Sequence, residues 1–536
     1  MASRADAPQL SPSKPSPPRP SPSTPSLSKP RPSKPTTGLA LWMERVLEEC
    51  EHADPGLSPD TVHDLRVALR RCRSLADGIM AIDPDPEWKR MKKAGRTLFR
   101  NLGALRDVHV MQEWVQRLGV GTDALTTVLR DWLQLRETEF KDEAARAVQS
   151  FDRKQWRSWA TSLPRRLARV RKGSDVFEHL ALERWTQAHE LHRQALRNRS
   201  QVAFHNLRIG IKRFRYIVEN FLPAQHAAWA DDLKELQDLL GEVHDLDVLW
   251  ATVQQLAAFG DDEAKFQWRN RIAAERERRI AAYRSKMLGK DSLWQHWRKS
   301  LPVGEHVRAA ALKRLKLWAA FFDPDLEHSN HVAKLAVQLF DGLSRIAQSP
   351  AKGSNANGEK ETLRMAALLH DIGRFKRDKN YEKATYKLIQ RLNPPLGWSR
   401  ESWRMVAVVA RFHRRVLPAA GHKTLRVLSP AERQTSYRLA GILRIAEAFD
   451  IRHDRGIQRV EVREQDGIIM IHALGYSARD RMAENIAGAR HLLEIVYRRP
   501  VMVKPLIANR GKRGKSSPSR PIRRLQRPES TRRNSA

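Results

Sequence analysis

The sequence predicts a mostly all-α protein, and three observations carry that reading. From about Gly38 to about Gly289, apolar residues recur every three or four positions through long segments that hold almost no internal glycine or proline. "HDLRVALRRCR" at 63–73 is nearly repeated by "HNLRIGIKRFR" at 205–215, so a helical unit occurs twice. Strand-like alternation stands out in "VEVREQDGIIMIHA", on both sides of Asp466-Gly467, which is a strong local signal for a small β-hairpin.

In chain order, residues 1–37 alternate Pro with Ser, Lys and Arg, a composition that cannot bury a core, and are expected to be disordered. Two helical regions follow, 38–295 and 302–507. Within the second, "QSPAKGSNANGEKE" at 348–361 reads as a polar loop. Residues 508–536 read as a disordered basic tail; from Asn509 on they carry ten basic residues and one acid.

Composition narrows the partners. With 97 Lys and Arg against 61 Asp and Glu, the formal charge is +36, which favours a polyanion. Two cysteines, Cys50 and Cys72, supply neither a disulfide framework nor a zinc spacing and fit a reducing compartment. No run approaches the roughly 18 apolar residues of a membrane span, and "MASRADAPQL" lacks a signal-peptide core. A cytoplasmic protein with no membrane partner is expected.

The repeated segment has a definite shape. At about 100° per residue, His63, Arg66, Arg70 and Arg73 fall within an arc of roughly 80°, and Leu65, Leu69, Cys72 and Ala76 form an apolar stripe beside them. The second copy sets His205, Arg208, Lys212 and Arg215 beside Leu207, Ile211, Phe214 and Val218. Each copy is followed by a matching element, "GALRDVHV" and "GEVHDLDV", at offsets of 142 and then 138 residues. A single arginine-rich helix is usually a solvated face. Two matching stripes suggest instead that both face one thing, and with pseudo-two-fold packing they would line one channel. Lys92, Lys93, Arg96 and Arg100 would extend one wall. Arginine forks match phosphate oxygens, so a linear phosphate chain could thread there.

This doubled pattern of His, Leu-Arg and a basic cluster, each followed by Gly-x-x-x-Asp, resembles the CHAD domain over about 250 residues. The resemblance implies two similar antiparallel helical bundles around a basic central pore that binds inorganic polyphosphate. It implies His63, Arg66, Arg70, Arg73, His205, Arg208, Lys212 and Arg215 as phosphate ligands, and a location with polyphosphate granules.

The second region contains "LEHSNHVAKLAVQLFDGL", "LRMAALLHDIGRFKRD", "VARFHRR" and "LAGILRIAEAFDIRHDR". The His370-Asp371 pair after an apolar run, with an upstream histidine, resembles the HD superfamily. Together these segments are similar to the C-terminal HD-like domain of the exopolyphosphatase and guanosine-pentaphosphate phosphohydrolase family, over about 200 residues. The resemblance implies a divalent metal held by His328, His370, Asp371 and Glu447, with Asp450 as a substitute acid and His331 as a competing first ligand. His413 is read either as a phosphate contact or as a capping or core histidine. Two departures matter: "NYEKATYKLI" stands where catalytic relatives carry a histidine cluster, and Glu447 stands where Asp is usual. Residues 302–507 are therefore read as either a hydrolase or a binding domain.

Three functions follow. The first is polyphosphate binding, with added phosphate binding or degenerate metal-dependent hydrolysis by the second region. The second is a metal-dependent phosphohydrolase of a nucleotide or other phosphate ester. The third is nucleic-acid binding through the basic tails, although no aromatic platforms interleave with the basic stripe.

Overall fold

The computed structural model describes residues 38–53, 57–119, 124–256, 262–346, 356–376, 380–419, 421–478 and 482–506. Both segments expected to be disordered, 1–37 and 508–536, lie outside the described residues. Among the described residues are 17 α-helices and one three-stranded sheet, so the mostly all-α expectation holds, with a small β addition. No described helix is long and apolar enough to cross a membrane.

The duplication is real in three dimensions. Helices α1 (Leu39–His52), α2 (Pro59–Ile79), α3 (Pro86–Leu118) and α4 (Ala124–Gln149) pack in sequence on one another. So do α6 (Asp175–Asn198), α7 (Gln201–Phe221), α8 (Pro223–Leu256) and α9 (Asp262–Met287). Helix α5 (Arg153–Leu167) closes on α1, and α10 (Leu293–Lys299) seals the second unit with Trp294 and Trp297. Even the caps repeat. The Ser58 hydroxyl accepts from the Thr61 amide and the Ser200 hydroxyl from the Ala203 amide, both at 3.2 Å, so α2 and α7 start at equivalent positions.

The two units meet through α2 against α7 and α3 against α8. Near the C-terminal ends of α2 and α7, Gly78 lies so close to Phe221 that a methyl group at its Cα would overlap the ring. Asn220 donates to the Ser74 hydroxyl at 3.1 Å, and Arg71 pairs with Glu219. Two apolar cores join the units. The larger includes Leu65, Leu69, Leu102, Leu207, Ile211 and Leu240. The smaller, around Met111, Trp114, Leu249 and Trp268, lies further along α3, α4, α8 and α9. The zone between them is polar.

The second region begins with α11 (Glu305–Ala319), α12 (Leu326–Ile346) and α13 (Ala356–Leu369). It continues with α14 (Tyr381–Arg391), α15 (Arg400–Arg411) and α16 (Pro430–Phe449) around a core of Leu335, Leu339, Leu368, Val406 and Leu443. Part of the expected 348–361 loop is helical, because α13 starts at Ala356. Glu359 favours that first turn electrostatically, and Lys360 ties it to Asp341 at 2.8 Å. The expected hairpin is β1 (Arg459–Gln465) and β2 (Ile468–Leu474), antiparallel. Asp466 and Gly467 have φ of 52° and 75°, the positive values a tight two-residue turn needs. After α17 (Met482–Tyr497), β3 (Val501–Pro505) returns parallel to β2.

The two regions touch. Helix α11 packs on α6, where Arg314 reaches Glu183 at 2.6 Å and the Ala81 carbonyl at 3.3 Å, and Lys313 pairs with Asp175.

Candidate functional site

Two clusters carry chemistry, one in each region. The first occupies the polar zone between the two cores of the helical units. Gly103 makes room for Arg66: a Cβ there would stand 2.7 Å from Arg66 Nη1. Passing that gap, Arg66 donates to the Phe99 carbonyl at 3.4 Å with its guanidinium 5.0 Å from the Phe99 ring centre.

The charges of the two copies act on each other. Burial lowers the Arg66 guanidinium, Arg70, Arg106 and Arg208 lower it further, and Asp107 opposes them. Burial, Arg208, Arg70 and Arg66 bring the Lys212 ammonium down to about 7 against the pull of Asp245. Burial pushes Asp245 up to about 6 although Arg208 and Lys212 are near. The Asp107 carboxyl is also raised by burial, despite Arg66, Arg208 and Lys212. Asp107 is nonetheless open to solvent. Four cations crowd this seam, and the carboxylates beside them are held towards neutrality, so an anion would relieve the imbalance.

The predicted phosphate ligands are not all equivalent. Arg66, Arg70, Arg208 and Lys212 converge. Arg73 shares the Phe99 ring with Arg66, its guanidinium 4.9 Å from the ring centre, and Arg215 is 3.8 Å from Glu219. His63 is exposed on α2, whereas His205 Nδ1 lies 3.4 Å from His244 Nδ1. Burial, then Arg208, His205 and Lys212, takes the His244 imidazole down to about 4. Lys92 is paired with Asp77, while Lys93, Arg96 and Arg100 are exposed along α3. By helical spacing, Arg96 and Arg100 share the α3 face of Gly103 and Asp107. Sequence reasoning used Asp107 and Asp245 as markers of the repeat and missed them, Arg106 and His244 as site residues.

The second cluster is built on α12, the turn after α13, the end of α15 and the end of α16. His328 Nε2 lies 3.1 Å and His370 Nε2 3.0 Å from Glu447 Oε2. Asp371 Oδ1 is 3.6 Å from His370 Nε2. Donor atoms of His328, His370 and Glu447, and of His370, Asp371 and His413, lie within 4.8 Å of one another. All five residues are buried.

Each histidine is held from behind. His328 Nδ1 is 2.7 Å from Asp450 Oδ2, His370 Nδ1 2.6 Å from the Ala367 carbonyl and His413 Nδ1 2.8 Å from the Ala410 carbonyl. Those contacts leave each Nε2 facing the cluster, the outer support that metal-binding histidines use. His370 Nε2 and Asp371 Oδ1, though buried, have no well-angled hydrogen-bond partner. Two buried donor atoms without partners, among close imidazole and carboxylate groups, fit a cation of borderline type that accepts mixed N and O ligands.

The expected ligands His328, His370, Asp371 and Glu447 thus come together. His331 does not compete, because its Nε2 is 2.8 Å from the Ile457 carbonyl. Asp450 stands behind His328 rather than among the donors. His413 is buried and bonded to the Ala410 carbonyl at the end of α15, as the core or capping reading has it, and its ring centre also lies 4.9 Å from that of His370. In place of the absent histidine cluster stands Tyr381, whose hydroxyl is 3.4 Å from His413 Nε2 and accepts from Arg414 at 2.8 Å. On another side Arg374 donates to Asp371 Oδ2 at 2.8 Å.

Electrostatics follow from this geometry. Burial alone would lower His328 and His370, but Asp450 and Glu447 raise the first to about 10, and Asp371 and Glu447 raise the second to about 9. Burial opposes ionisation of Glu447, yet His370 and His328 hold it well below the usual carboxylate range. His413, buried beside the charged His370, is held down at about 4.

No curated protein matches the chain. Residues 42–254 match the CHAD domain and residues 307–468 match the Ppx/GppA phosphatase, domain III. The chain therefore carries a CHAD domain in its doubled helical region and a Ppx/GppA domain III around the histidine cluster.

Proposed function

We propose that this protein captures inorganic polyphosphate in the seam between its two helical units, and that the histidine cluster is a divalent-metal centre acting on phosphate linkages. The observation that carries the first part is the meeting of Arg66 and Arg70 with Arg208 and Lys212, one pair from each copy, in a desolvated zone whose carboxylates are held towards neutrality. A linear polyanion supplies repeated negative charge along one path, and guanidinium forks match its tetrahedral oxygens. The polyphosphate-related character of both matched domains supports the same substrate.

Replacing Arg66, Arg70 and Arg208 by Glu should weaken capture of long-chain polyphosphate by more than a hundredfold in a calorimetric titration. Unchanged affinity would refute the seam. Because these side chains point into a polar zone, circular dichroism and the melting curve serve as the folding control.

For the second part, His328, His370, Asp371 and Glu447 would hold the cation, with His413 beside them. The cation's contribution would be Lewis-acid polarisation of a phosphoryl oxygen or activation of water. The protein's own groups do the rest. Asp450 and the Ala367 and Ala410 carbonyls fix the three imidazoles, Arg374 holds Asp371 in place, and Tyr381 and Arg414 narrow the approach. Metal analysis of the purified protein, alone and with His370→Ala and Asp371→Ala, is the test. About one manganese or zinc per chain, lost in both variants, is expected; equal metal in all three would contradict the assignment.

A further inference from the structure

The second region carries another unassigned concavity, on the side of α12 away from the histidine cluster. Leu312, Val337 and Leu368 form its floor and Lys316, Lys334 and Arg364 its walls, enclosing about 300 Å³ where α11, α12 and α13 meet. That volume is at the lower end for small-ligand sites. On α12, Lys334 and Val337 lie about 240° and 180° around the helix from His328, so this groove and the cluster open to different sides.

Its charges are unbalanced. No carboxylate is among the residues lining it. Burial, and then Arg364, lower the Lys316 ammonium, as expected where cations converge without a counter-ion. Glu361 reaches Arg364 at 3.6 Å along α13, but both side chains are substantially exposed and such a pair contributes little. A groove of similar volume on α8 shows the ordinary alternative. There Lys234 is bonded to Asp238 at 3.0 Å and shares the surface with Asp231, Glu235 and Glu242.

We infer that the groove between α11, α12 and α13 binds an oligophosphate, with Lys316, Lys334 and Arg364 on its phosphoryl oxygens. Three cations suit two or three linked phosphates. The apolar floor can seat an organic group attached to them, but the charges do not require one. The site is separate from the seam and from the metal cluster, so it does not depend on either proposal.

The test is hydrogen–deuterium exchange on the full chain, with chelator present, in inorganic triphosphate or in ATP. Either probe should slow exchange at 312–316, 330–338 and 364–368, and Lys334→Glu with Arg364→Glu should abolish the protection and weaken binding there at least tenfold. Protection by both probes assigns recognition to the phosphates alone, and protection by ATP only adds the floor to the site. Arg66→Glu with Arg208→Glu should leave this protection intact while removing any in α2 and α7, which separates the groove from the seam. No protection by either probe, or protection that survives the groove substitutions, overturns the inference.

Discussion

Lys212 is where the chemistry of the seam is most exposed to experiment. Its ammonium is held at about 7 in the free protein, and a bound polyanion would favour the charged form and raise it. Above pH 7, binding must therefore take up a proton, so affinity should fall with rising pH, by at most about tenfold per unit for this one group. Lys212→Arg, which stays charged, should flatten that slope between pH 7 and 9; a slope that persists would assign it elsewhere. At the other cluster, Asp450→Asn would leave the donors untouched but loosen His328. Metal affinity should drop about 10- to 100-fold, measurable by competition with a chelating dye, whereas an unchanged constant would reduce Asp450 to packing. The spacing of arginines on one helix made the seam residues readable from sequence. The role of Asp450 was not, because it depends on its carboxylate engaging one ring nitrogen of His328 across helices far apart in the chain.

At the level of elements, the two copies are paired most tightly where α2 crosses α7. Gly78 permits the Phe221 ring to lie against the α2 backbone. Gly78→Ala should force that ring aside and cost about 1–3 kcal/mol of stability, read as a lowered urea midpoint; no change would mean the helices part without penalty. The offset between copies made the duplicated helices legible, and Asp466-Gly467 made the hairpin legible, because both signals are local. Residues 348–355 lie outside the described residues; 356–361 misled because polar composition marks a loop only when nothing supports its helix. From Ala356, Glu359 at the first turn and Lys360 on Asp341 do support one.

On the scale of the whole molecule, the docking of α11 on α6 had no trace in the sequence, since it depends on scattered polar residues with no periodicity. Arg314 bridges the regions through Glu183 and the Ala81 carbonyl. Arg314→Ala would strand that carboxylate at about 1–3 kcal/mol. It should split a single calorimetric transition into two or broaden it; an unaltered transition would show that the regions are coupled by other contacts. This docking joins the basic seam and the buried histidine cluster in one connected body.

The most direct measurement is competition between long-chain polyphosphate and single-stranded DNA of equal charge for the chain trimmed to residues 38–506, at physiological salt. Trimming removes the basic ends, which would attract any polyanion. The account predicts a preference for polyphosphate of at least tenfold that Arg66→Glu with Arg208→Glu eliminates. Equal occupancy by the two polymers, or a preference indifferent to those substitutions, would contradict it.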